Sequence, residues 1–177
     1  MTTPDDATLR QACDELMARD PAFQAAFAVI GLPDWRYSPP LYRTIARMIA
    51  FQQITTKAAA SIWARVEAAL GEVTPAAMLA ASEDELRACG LSRPKIRHLK
   101  SIAEAVESGA LDLTRVYHGE MDAARAELLA VKGIGPWTAD LFLLSCGRLD
   151  AFPIADVGLM EAYRLLSGHE DRYAPKA

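Results

Sequence analysis

The stretch Val131-Lys132-Gly133-Ile134-Gly135-Pro136-Trp137-Thr138-Ala139-Asp140 restricts what this chain can fold into more than any other. An apolar run, Leu128 to Val131, enters it, and another, Leu141 to Leu144, leaves it. Gly133 and Gly135 flank one apolar residue, Ile134, and glycines so close together let the backbone turn where a Cβ would collide. Pro136 suits the first position of a new helix, where its missing N–H would have had no partner anyway. The stretch predicts helix, tight hairpin, helix. Bare N–H groups at the start of the second helix would make a ready site for an anion such as a nucleic-acid phosphate. An ordinary tight turn between two core helices fits the same residues equally well.

The rest of the chain carries helical periodicity and no convincing period-2 pattern. Ala7–Arg19 reads as a helix, and Asp20 with Pro21 opens a second one bearing Phe23, Phe27 and Ile30. Gly31, Pro33, Pro39 and Pro40 mark a loop and a lobe boundary. Leu41–Gln53 and Lys57–Leu70 are helical, separated by Ile54-Thr55-Thr56, where either threonine can cap. Thr74-Pro75 and Ser82 start short helices, Glu85 being placed to complete a capping box with Ser82. Ser92 starts a longer one that ends near Ser108. Met121–Val131 enters the hairpin and Pro136–Cys146 leaves it. Ala151–Ile154 should be extended, since the residue before a proline avoids the helical region. Asp156 precedes a final helical pattern. The expected fold is all-α, a two-lobed bundle of short helices, with a central lobe over 42–131 and a second lobe from 1–41 plus 132–177. Arg172–Ala177 reads as the start of an element cut short.

A formal charge of −4 argues against indiscriminate coating of nucleic acid, though not against a local basic face. Arg93, Lys95, Arg97, His98 and Lys100 form the densest basic cluster, on more than one face of a helix. The three cysteines, Cys13, Cys89 and Cys146, are widely spaced and suggest reduced, mostly buried thiols in a cytoplasmic protein. His98, His118 and His169 have no partners at metal-ligand spacing and read as surface residues. No apolar run is long enough for a bilayer, so no membrane association is expected.

Asp156 is the carboxylate of most interest. It follows a proline, lies at a helix start, and has Phe152, Ile154, Val157 and Leu159 around it. Caps are commoner than lone catalytic acids, and the two roles are compatible. Gln52 and Gln53 lie between two helices, as a solvated turn or as a probe of a nucleic-acid groove. Trp137 fits either the core or stacking on a base.

Taken together, these segments resemble the helix-hairpin-helix (HhH-GPD) DNA glycosylases, and within them the DNA-3-methyladenine glycosylase II branch. The likeness rests on Val131–Ala139, on Phe152-Pro153-Ile154-Ala155-Asp156 about twenty residues later, on Ile49–Ala59 and on Ala88–Ile96. It extends over roughly Asp20–Ser167. The resemblance implies Asp156 as the catalytic aspartate and a cleft between the lobes that takes the base. Trp137, Leu141 and Val157 would line that base pocket, Leu141 and Val157 standing where the best-known bacterial relative has tyrosines. DNA would be contacted by Gln52, Gln53 (the wedge that fills the gap left by the base), Lys132, Gly133, Ile134, Gly135 and Thr138. The carbonyls of Leu129, Val131 and Ile134 would hold a monovalent cation, Na+ or K+. No other cofactor is implied, and no iron–sulfur cluster.

In bifunctional relatives, including endonuclease III, the position of Trp137 is a lysine that attacks the sugar. Tryptophan lacks that chemistry, so the resemblance implies a glycosylase without lyase activity. Its expected partner is double-stranded DNA holding an alkylated purine, and its expected state is a monomer at the bacterial nucleoid. Deaminated or oxidised bases are the alternative substrates, and a non-catalytic DNA grip is the alternative class.

Overall fold

A computed structural model describes residues 4–168, in which eleven helices and no strand are assigned. The all-α expectation holds. No helix among the described residues is long and apolar enough to cross a membrane. The chain divides into two compact units.

Ser38–Phe152 forms the larger unit. Its helices are α3 (Tyr42–Phe51), α4 (Thr56–Leu70), α5 (Pro75–Ala80), α6 (Glu83–Ala88), α7 (Arg93–Glu107), α8 (Leu113–His118), α9 (Met121–Leu129) and α10 (Pro136–Ser145). Starts follow side-chain caps: Thr55, Thr74, Ser82, Ser92 and Asp112 each accept a backbone N–H of the first turn. The Ser82–Glu85 capping box is present in both directions. The core gathers one face of each helix, with Ile45, Ile49, Leu86, Leu99, Ile102, Leu128 and Phe142 fully buried. Burying each such side chain contributes about 1.5–3 kcal/mol. Helix α7 is central, packing on α3, α5 and α6 through Ile96, Leu99, Ile102 and Ala103. Helix α10 packs on α3 and α9.

The described residues up to Tyr37 and from Pro153 form the smaller unit: α1 (Asp6–Arg19), α2 (Ala22–Ile30) and α11 (Val157–Ser167). Helix α2 packs on α1 and on α11. Phe23 and Tyr163 rings stack at 6.3 Å, and the Tyr163 hydroxyl donates to Asp20 at 3.2 Å.

The sequence placed boundaries after residues 41 and 131, whereas the compact units divide after Tyr37 and Phe152. The difference at the second boundary has a physical cause. Helix α10 buries Thr138, Ala139, Asp140, Phe142 and Leu143 in the larger unit's core, and so belongs to it. The expected element at Arg172–Ala177 and His169 lie outside the described residues.

Candidate nucleic-acid interface and catalytic acid

Helix α9 ends at Leu129, and the chain turns through two backbone bonds: Val131 N–H to Leu128 at 3.1 Å, and Ile134 N–H to Val131 at 3.1 Å. Val131 and Ile134 are buried, so two apolar side chains anchor the loop from within, while Lys132 is exposed. Gly133 has φ +104°, where side chains are strained, and a Cβ there would lie 2.6 Å from the Cβ of His98. His98 is half-buried beneath the hairpin, not the surface residue expected. Gly135 is the N-cap of α10, has no side chain to offer and makes no cap bond, and Pro136 opens the helix. The two helices of the motif are tied by Arg125, which donates to both carboxylate oxygens of Asp140 at 2.8 and 3.1 Å.

This geometry narrows the expectation that Gly133, Ile134 and Gly135 all offer amides. The Ile134 N–H is turned into the hairpin, onto the Val131 carbonyl. Thr138 differs as well. It is 3% exposed, and its hydroxyl accepts from Gln52 Nε2 at 2.9 Å. The side chain of Gln52 is thus directed at α10, and Thr138 braces it. Gln53 is exposed and has φ +60°, the one described non-glycine residue with positive φ. That conformation costs on the order of 1 kcal/mol and persists where surrounding structure dictates it.

The expected basic patch on α7 is largely spent on structure. Lys95 Nζ donates to the carbonyls of Ala50 and Gln52, at 2.7 and 2.8 Å, closing the C-terminus of α3. Desolvation lowers its pKa from the usual lysine value. Lys100 does the same for α5, through Leu79 and Ala81. Arg93 pairs with Glu83. Sequence reasoning also missed Arg148, which is 1% exposed. Its guanidinium donates to the carbonyls of Val116, Tyr117 and Gly119 at the end of α8, and to both oxygens of Asp150. No local signal marks these three residues, because most of their acceptors lie tens of residues away along the chain.

In the smaller unit Asp156 is the N-cap of α11, its Oδ1 accepting the Leu159 N–H at 2.8 Å. The capping expectation is thereby met. Gly158 lies so close that a Cβ there would sit 3.1 Å from that oxygen. Asp156 is half-buried, but Phe152, Ile154, Val157 and Leu159 are largely exposed, so these neighbours do not enclose it. Val157, expected as a pocket wall, is 69% exposed. Trp137 and Leu141, one turn apart on α10, are both half-buried and share a face.

Cys89 and Cys146 are buried and Cys13 half-buried, all as free thiols. Burial pushes the Cys146 thiol up to about 11, which keeps it protonated and unreactive. Among the described residues no group of three or more His, Cys, Asp or Glu side chains could hold a metal ion.

Residues 46–177 match the model of the HhH-GPD superfamily of base excision DNA repair proteins, and the chain belongs to that superfamily. It is 35% identical to DNA-3-methyladenine glycosylase 1 of Schizosaccharomyces pombe, over 71% of this chain and 57% of the relative. It is 32% identical to endonuclease III of Sulfolobus acidocaldarius, over 64% of this chain and 51% of the relative. The chain therefore spans about half the length of these curated relatives. Among solved structures, it is similar to the S. pombe 3-methyladenine DNA glycosylase in complex with abasic DNA. That match has a TM-score of 0.83 and 29% identity, and covers 93% of this chain and 84% of that one.

Proposed function

We propose that this chain is a monofunctional DNA glycosylase that hydrolyses the N-glycosidic bond of alkylated purines in duplex DNA. The hairpin grips the backbone with the exposed Lys132 and with the N-terminus of α10, to which Gly135 gives no cap; a phosphate complements both. Extruding the base costs about a few kcal/mol, less for a damaged pair. Gln53, exposed on its left-handed turn, fills the gap. Trp137 and Leu141 offer a half-buried face to the extruded base. An N3- or N7-alkylated purine is cationic, so stacking on an aromatic adds about 0.5–2 kcal/mol and the base leaves without a strong general acid. The departing purine leaves an oxocarbenium-like sugar. The carboxylate of Asp156 stabilises that positive charge and orients the attacking water. Water adds at the anomeric carbon, its proton goes to solvent, and the products are free base and an abasic site.

The carbonyls of Leu129, Val131 and Ile134 are a neutral, hard-oxygen donor set confined to one turn, which fits a Na+ or K+ ion. The Val131 oxygen already accepts one N–H and keeps a second lone pair. Such a cation would supply positive charge beside the phosphate.

The observation that carries this reading is Trp137 in the first turn of α10, where a lyase would need an amine. Asparagine keeps the N-cap bond of α11 and removes the charge. Asp156→Asn should therefore fold normally yet release 3-methyladenine from methylated duplex DNA roughly 100-fold or more slowly. Near-normal release by that variant overturns the mechanism. The alternative reading is a glycosylase for deaminated or oxidised bases. A panel of alkylated, deaminated and oxidised duplexes separates the two, and a strand cut at the abasic site would contradict the absence of lyase chemistry.

A further inference from the structure

The turn that displays Gln53 is shaped by residues other than Gln53. Helix α3 stops at Phe51, Gln52 is extended with φ −61° and ψ 140°, and Gln53 turns left-handed at φ +60°. Side chains occupy that region where their surroundings impose it. The imposing group comes from α7. Lys95 Nζ bonds the carbonyls of Ala50 and Gln52 together, at 2.7 and 2.8 Å, one on each side of Phe51. One turn further along α7, His98 lies against the hairpin at Gly133. Gln52 meanwhile reaches Thr138 of α10 at 2.9 Å. Lys95, His98 and the Gln52–Thr138 bond together fix the turn relative to the hairpin, while the Gln53 side chain stays exposed.

We propose that Lys95 is a positioning residue for Gln53: its ammonium holds the turn ready-made, so that the glutamine enters the duplex without first having to order itself. Lys95 then governs extrusion of the base and leaves bond cleavage alone. This inference rests on the base-flipping reading above.

The test compares wild type, Lys95→Met, Gln53→Ala and the double variant on duplexes holding 7-methylguanine. In one duplex the lesion is paired with cytosine. In the other it faces an abasic gap, where extrusion needs little help. Each single variant should release the paired base about tenfold more slowly, and the double variant no more slowly than the worse single, because one residue acts through the other. Release opposite the gap should stay within about threefold of wild type, since unpairing costs less there. Losses that multiply in the double variant, or that are equal on both duplexes, overturn the proposal.

Amide hydrogen exchange gives a readout that needs no activity. Exchange at Gln52, whose N–H donates to the Ile49 carbonyl at 3.4 Å, should accelerate about tenfold or more in Lys95→Met and stay unchanged in Gln53→Ala. Unaltered exchange in Lys95→Met sinks the proposal. A wild type that releases no alkylated base from either duplex sinks the functional reading instead. Should Lys95→Met not fold, Lys95→Gln, with a shorter stem and a weaker donor, goes through the same two measurements.

Discussion

Between Ser38 and Phe152 every helix contributes at least one buried residue, whereas no residue of α1, α2 or α11 is buried. The charge divides the same way. The larger unit has thirteen basic and thirteen acidic residues, so the whole formal charge of −4 lies outside it. The two candidate functional regions consequently rest on different physics. The hairpin and the Gln53 turn inherit their geometry from a close-packed core. Asp156 sits on a helix held by its own cap, a ring stack and one hydroxyl bond. Regions with few buried apolar contacts open at lower free energy than the core, so α11 should exchange its amides well before α7 or α10.

The strongest challenge to that contrast is a pair of leucine truncations. Leu128→Ala in the core should cost about 3–4 kcal/mol in urea denaturation, while Leu165→Ala on α11, where the residue is 66% exposed, should cost less than ~0.5 kcal/mol. Similar losses at both sites would break the comparison. Next in size is Gly133→Ala, expected to cost about 2 kcal/mol through its positive φ and its approach to His98. The obstruction comes from the His98 Cβ and Cγ, at 2.6 and 2.8 Å, so adding His98→Ala should recover part of the loss and His98→Gly more of it. Denaturation of the three variants decides it.

The smallest effect is electrostatic. The Arg115 guanidinium, followed by the Asp112 N–H, holds Glu127 below the ordinary glutamate value of 4.5. The resulting stability is present above that value and is lost as pH falls through the lower folded one. As pH falls through and below 4.5 the wild type should lose slightly more stability than Glu127→Gln, the difference being small because the pair is partly solvated. The Arg115 side chain is 56% exposed. Parallel urea titrations across that range measure the difference.

Local chemistry made much of this fold legible from sequence. Ser82 and Glu85, Thr74, Ser92 and Asp156 announce helix starts because a cap needs partners only two or three residues away. The hairpin was legible for the same reason. Contacts spanning the chain were not. Lys95, Lys100 and Arg148 look like solvated charge in sequence, yet each closes a helix C-terminus well outside its own neighbourhood. Thr138 and Gln52 were read as separate DNA contacts because nothing in a sequence shows that residues 86 positions apart share a hydrogen bond. The apolar residues of helix α10 fit a core without saying, in sequence, which one.

Where the imidazole of residue 98 meets the hairpin, the distance between helix and loop is set by a methyl group that is not there. Any attempt to retune the proposed grip by giving position 133 a side chain would push the loop off its support before it touched a ligand. Variation in how strongly related chains hold the backbone should therefore accumulate at Lys132, whose side chain leaves the loop freely, with positions 98 and 133 changing only in concert.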